Sequence, residues 1–231
     1  VLMNPPYGGN EKSDVKSHFP SDMRSSETAD LFMVLIMYRL KKNGRAAVIV
    51  PDGFLFGADN TKIAIKTKLL RDFNLHTIIR LPGSIFAPYT SIATNILFFD
   101  NTSAEGAPEG FSSKETWFYR LDMPEGYKHF SKTKSMKLEH CDPIREWWND
   151  RKEIIIADGD EKSRCYPVKE LIDSDCNFDL CKFPKEDEEI LPPAELLADY
   201  FKKRKALDHE IDKTLAEIQR ILGIDVKVDE L

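Results

Sequence analysis

Several things are scarce in this sequence, and each scarcity excludes something. No apolar run in its 231 residues is long enough to cross a bilayer, and none opens the chain as a signal peptide would. No membrane association is expected. Cysteine occurs four times, as Cys141, Cys165, Cys176 and Cys181, and never as Cys-x-x-Cys. His140 beside Cys141 has no second closely spaced pair, so no metal is expected. The thiols read as the reduced ones of a cytoplasmic protein. Basic charge is in deficit, with 33 Lys and Arg against 39 acids and a net charge of −6. That argues against a free-standing nucleic-acid binder, which is usually basic. A catalytic subunit whose partner supplies most of the grip escapes the objection. Residue 1 is not methionine and no helix precedes the first strand, so the expectation is the carboxyl portion of a longer protein.

What is present begins at once. Val1, Leu2 and Met3 read as the end of a buried strand. Asn4-Pro5-Pro6-Tyr7 stops it, because neither proline can donate to a sheet ladder. Gly8 and Gly9 release the backbone into a loop. An amide, a stiff corner and an aromatic ring thus stand at the carboxyl end of a strand, where open α/β sheets bind ligands. The set suits an exocyclic amino group on a flat base, whose two N–H bonds need two acceptors. The Asn4 side-chain oxygen can be one and the Pro5 carbonyl the other, held by the Pro5-Pro6 geometry. Tyr7 offers a stacking face, worth about 1–3 kcal/mol per base. A base within a duplex would first be flipped out. The plainer alternative is that the prolines end a strand and Tyr7 is core.

The rest of the first hundred residues alternates. Residues 10–27 are polar and aperiodic, and read as a mobile loop in which Ser25 or Ser26 caps the next helix. Residues 28–42 form a helix apolar around nearly its whole circumference, closed by Asn43-Gly44. A continuous apolar strand follows over 46–50, ending in Pro51-Asp52-Gly53. Residues 54–57 read as a connecting loop, 60–72 as a helix, and 75–81 and 93–99 as strands. The fold class is therefore α/β with a mainly parallel sheet. The last two strands are joined too briefly for a parallel crossover and should pair antiparallel.

At this point the residues resemble a family. Asn4-Pro5-Pro6-Tyr7 is similar to the amino-group-binding motif of N6-adenine and N4-cytosine DNA methyltransferases, which some protein-glutamine and RNA methyltransferases share. Together with Ala29-Asp30-Leu31-Phe32, the run from Leu40 to Pro51, Leu81-Pro82-Gly83-Ser84-Ile85-Phe86 and the run from Thr90 to Leu97, it resembles the modification (M) subunit of type I restriction-modification systems. The resemblance implies the carboxyl half of a class I, Rossmann-like methyltransferase sheet with an antiparallel final strand. It implies S-adenosylmethionine as cofactor, and adenine N6 in DNA as acceptor. Specificity (S) and restriction (R) subunits would be partners. It places Asn4, Pro5, Pro6 and Tyr7 in the catalytic site, and Phe86 where an aromatic stacks on the flipped base; the alternative is that Phe86 is core. Tyr89 is the weaker substitute. Thr90, Thr94 and Asn95 beside it either touch DNA or satisfy loop backbone. One departure is large. The glycine-rich turn that holds the cofactor in this family does not occur among the 11 glycines. Asn4 could line the pocket, no other cofactor residue is assigned, and this chain alone is expected to be inactive.

Beyond residue 101 the composition shifts. An α+β extension is expected over 102–192, with a strand at 117–121 and a short helix within 139–152. Lys128, His129, Lys132, Lys134 and Lys137 either meet phosphate or form a solvated loop. Residues 193–231 read as a helical region. Leu207, Ile211, Leu215, Ile218 and Leu222 make a coiled-coil-like seam ended by Gly223. In the family, carboxyl helices of M contact the S subunit. A module that only docks that subunit is the non-catalytic alternative, and a protein or RNA N-methyltransferase with the same motif is another.

Overall fold

The computed structural model describes residues 1–156, 159–182 and 193–223. It divides into two compact units, residues 1–185 and 186–231. The first holds one seven-stranded sheet. Its strands are β1 (Leu2–Met3), β2 (Arg45–Pro51), β3 (Asn74–Arg80), β4 (Thr94–Asp100), β5 (Glu115–Arg120), β6 (Ile154–Ile156) and β7 (Asp160–Pro167). Its helices are α1 (Ser13–Ser17), α2 (Thr28–Arg39), α3 (Asp52–Phe56), α4 (Asn60–Asp72), α5 (Asp142–Asn149) and α6 (Val168–Asp173). The second unit is α7 (Pro193–Leu222), stopped by Gly223 at φ +63°.

Across the sheet the order is β1-β2-β4-β3-β5-β7-β6. β1 runs parallel to β2, and β3 parallel to β5. β4 lies antiparallel between β2 and β3, as the short connection required. The fold is the expected α/β one, but the sheet is mixed rather than mainly parallel. β1–β2 and β3–β5 are its parallel pairs; the other four pairings are antiparallel, because β4 and β7 each return by a short connection beside the strand before and so run against both neighbours. Side chains alternate across these strands. Val48, Val50, Ile78, Leu97 and Phe99 join Met33, Ile65 and Leu69 of α2 and α4 in one core, each aliphatic side chain contributing about 1.5–3 kcal/mol. Val168, Leu171 and Phe178 enter the same core. Ile79, Leu81, Tyr119, Leu121 and Trp147 form a second core, with Phe98, Trp117 and Trp148 packed against it.

Four local expectations are corrected. Val1, Leu2 and Met3 are exposed rather than buried, Leu2 by 87%, because β1 is the outermost strand of the sheet. Residues 10–27 are not featureless: they hold α1 and a 3-10 turn at Ser21–Met23, pinned by the buried Met23. Glu27, not Ser25 or Ser26, is the N-cap of α2. The Ser25 hydroxyl instead accepts the Glu27 N–H (3.0 Å) and donates to the Asp30 carboxylate (2.6 Å). Residues 54–57 fall largely within α3, whose Phe54 and Leu55 are wholly buried.

Candidate active site

Topology sets the place. β1, β2, β3 and β5 all run the same way, so their carboxyl ends share one rim of the sheet. The motif segment after Met3, helix α3, the loop over 81–93 and the loop after Arg120 all leave from that rim. Ligands of open α/β sheets bind at such rims.

At this rim Asn4 and Pro6 are exposed, Pro5 is buried, and Tyr7 and Phe86 are half-buried. The Tyr7 hydroxyl donates to Asn4 Oδ1. Burial pushes the Tyr7 pKa above its ordinary value, outweighing the Asn4 contact that lowers it, so at neutral pH the hydroxyl remains a donor. A carbonyl oxygen has two lone pairs, so Oδ1 keeps one for a further N–H. The Pro5 carbonyl accepts no hydrogen bond from any described residue. The rings of Tyr7 and Phe86 stand 5.5 Å apart between centroids, at 49°. A base between two rings needs about twice the 3.4 Å stacking rise. The two rings therefore touch each other here, and a base entering between them would part them. Tyr89 is 90% exposed and takes no part in this pair.

Phe86 sits in a turn. The Ala87 N–H donates to the Ser84 carbonyl (2.9 Å), and the Tyr89 N–H to that of Phe86 (2.9 Å). Of the polar residues beyond, Thr90 and Asn95 are used internally, whereas the Thr94 hydroxyl is buried with no hydrogen-bond partner among the described residues. Thr90 Oγ1 accepts the Ile92 N–H (3.1 Å), while Thr94 and Asn95 are fully buried.

Sequence reasoning missed the ionic framework behind this rim. Arg80, only 2% exposed, donates to Asn95 Oδ1 (3.3 Å), to Asp52 Oδ1 (3.4 Å) and to Asp179. Asn95 Nδ2 donates to the same Asp52 oxygen (2.5 Å). One guanidinium thus ties β3 to α3, β4 and the segment after α6. The available signal was a lone arginine closing an apolar strand just before Leu81-Pro82. Two buried lysines on α4 were missed as well. Lys62 pairs with Glu27 (2.5 Å), Asp30 (3.2 Å) and Asp59 (3.5 Å), fastening the loop that follows the motif. Burial disfavours its charge, but Glu27 and Asp30 outweigh this and hold its pKa above the ordinary value. Asp30 is itself fully buried; burial pushes its carboxyl up against Ser25 and Lys62, and its Oδ1 has no hydrogen-bond partner. Lys66 donates to the carbonyls of Leu55 (3.0 Å) and Gly57 (2.8 Å), and burial lowers its pKa to about 8. Among the described residues no cluster of His, Cys, Asp and Glu could hold a metal, and no helix is long and apolar enough to cross a membrane.

The comparisons with known proteins bear on this geometry. The family model for N-6 DNA methylase matches residues 1–190. The chain belongs to the N-6 DNA methylase family. The chain is 41% identical over 226 residues to the type I restriction enzyme EcoEI methylase subunit of Escherichia coli, covering 96% of the chain and 43% of that protein. A crystal structure of a modification subunit of a putative type I restriction enzyme from Vibrio vulnificus has a TM-score of 0.63 and 41% identity, over 74% of this chain and 34% of that one. A type I restriction-modification structure, studied for complex assembly and conformational transition, has a TM-score of 0.65 and 33% identity, over 96% and 45%. The chain thus spans less than half the length of each of these relatives. The matched residues take in the motif, the Arg80 framework and both cores.

Proposed function

We propose that this chain supplies the acceptor side of a type I DNA adenine-N6 methyltransferase subunit. The observation that carries the reading is Asn4: an exposed amide at the sheet rim, oriented by the Tyr7 hydroxyl, beside an unengaged Pro5 carbonyl. Two acceptors so placed match the two N–H bonds of an adenine amino group. Drawing those hydrogens aside leaves the nitrogen lone pair to attack an electrophilic carbon. Tyr7 and Phe86 clamp the ring once it has parted them. No strong general base is needed, because the amine loses its proton after attack. S-adenosylmethionine is the methyl donor in this reading, and it brings a methyl group made electrophilic by a sulfonium. The amide and ring at this rim suit the acceptor; no residue here is assigned to holding the donor. In the assembled enzyme, Asn4→Ala lowers methyl transfer to DNA at least about 100-fold, the scale of losing one preorganised polar contact, while urea unfolding is unchanged. Undiminished methyl transfer would remove Asn4 from the site.

A second role rests on α7. Leu207, Ile211, Leu215 and Ile218 form an apolar stripe along it. Such a seam suits a helix of a specificity subunit, with a restriction subunit completing the complex. Deleting residues 193–231 would then abolish co-purification with the specificity subunit.

A further inference from the structure

The loop after β5 carries an unusual charge. Residues 128–137 contain four lysines and a histidine and no carboxylate, in a chain with six more acids than bases. It leaves the sheet at the same rim as the motif, since β5 is parallel to β3. Its conformation is anchored. Phe130 is 1% exposed and packs on Tyr127 (5.6 Å) and His140 (5.9 Å). The Phe130 N–H donates to Ser84 Oγ (2.8 Å). Ser84, at φ +59°, begins the turn that presents Phe86, and Phe86 touches Tyr7. A continuous chain of contacts therefore runs from Asn4 through Tyr7, Phe86 and Ser84 to this loop.

Within the loop the cations differ. Lys134 lies over the Tyr127 ring (4.0 Å) and donates to the Gly126 carbonyl, and Lys137 pairs with Glu139. Lys128 and Lys132 are exposed and have no ion-pair partner among the described residues.

We infer that residues 128–132 form a clamp for the DNA phosphate backbone next to the extruded base, with Lys128 and Lys132 each meeting one phosphate. This rests on the DNA-methyltransferase reading and gives the loop a separate job within it. Flipping a base strains the backbone on either side, and cations fastened to the base-binding turn would hold that strained backbone in register with the pocket.

The test uses the full chain and a fluorescently labelled random-sequence DNA duplex, with anisotropy read across a salt series. Each phosphate contact contributes about 0.9 to the slope of log affinity against log salt. Lys128→Gln with Lys132→Gln should flatten that slope by about 2 and weaken binding at low salt. Lys41→Gln with Lys42→Gln removes the same charge before the amino end of β2, at the opposite rim, and should leave the slope unchanged. Equal losses from the two pairs, an unchanged slope in the loop variant, or no salt-dependent binding by the parent chain would overturn the clamp. The catalytic reading fails separately: Asn4→Ala should leave the slope alone while lowering methyl transfer in the assembled enzyme at least about 100-fold.

Discussion

Two buried arginines sit side by side in this sheet and are used differently. Arg80 and Arg120 are partners in the β3–β5 register, each 2% exposed, each the last residue of its strand. Arg120 makes a closed clamp. Its two terminal nitrogens meet both Asp160 oxygens at 2.7 Å, and its Nε meets Asp122 at 2.6 Å. Arg80 makes single bonds to Asn95, Asp52 and Asp179, on three separate segments. The bidentate fork locks one pair of strands; the distributed one gathers the segments that surround the candidate site. Neighbouring guanidiniums repel, so each needs its own carboxylates, and the choice of carboxylate decides what the arginine organises.

The largest effect that would test this contrast is on stability. Asp160 has only 10% of its side chain exposed, so Arg120→Met takes the bidentate partner from a buried carboxylate and should cost about 3–5 kcal/mol in urea unfolding. Methyl transfer per folded molecule in the assembled enzyme should be unaffected. A third buried cation sharpens the point, because among the described residues no carboxylate pairs with it: Lys66 is held by two carbonyls and lies over the Phe178 ring (5.4 Å). The unfolded chain keeps a lysine proton to about pH 10.4, whereas folded Lys66 releases it at about 8. Between those values the unfolded state keeps this proton and the folded state does not, so Lys66 contributes a rise of stability with pH on the order of 3 kcal/mol. It is set against the Cys165 and Cys181 thiols, which burial pushes up to about 12 and which act in the opposite sense. Lys66→Met should abolish that rise, and a parallel pH profile in the variant would contradict it. Arg80→Met comes next. Asp52 and Asp179 keep 19% and 32% of their side chains in contact with water, so the loss should be nearer about 1.5–3 kcal/mol. Here methyl transfer per folded molecule should also fall, because α3, β4 and the 177–179 segment lose their common tie. The smallest effect belongs to Arg120→Met combined with Asp160→Leu, which replaces both ends of the bidentate fork by apolar groups and should recover most of the stability lost in Arg120→Met alone. A double variant as unstable as Arg120→Met alone would show that the clamp is more than a balanced pair.

These residues also mark where sequence reading stops. Strands β2 to β5 and the long helices were legible because their apolar spacing is regular, and β4 was legible as antiparallel because 81–93 leaves no room for a crossover; β6 and β7 were not, because they are short or largely polar. Helix α3 was not. Its five residues are too few to show a period, and Pro51-Asp52-Gly53 reads as a turn although Pro51 is the N-cap and Asp52 opens the helix. Lys62 and Lys66 were invisible because lysine is ordinarily a surface residue, and only tertiary partners explain their burial. At the candidate site, the quartet could be read from its chemistry. The contact between Tyr7 and Phe86 depended on family resemblance, since the two are far apart in the chain. The Arg80 framework joins residues 52, 80, 95 and 179, and no local pattern connects those.

The bond from Tyr7 to Asn4 has one more consequence. The two ends of a carboxamide are alike in shape and opposite in chemistry, so an exposed asparagine can turn over and present hydrogens where an acceptor is wanted. By giving its proton to Oδ1, the phenol tells the group which way round to stand. A phenylalanine there would keep the flat surface and lose that sense of direction, and a share of the molecules would greet the incoming amine with the wrong end.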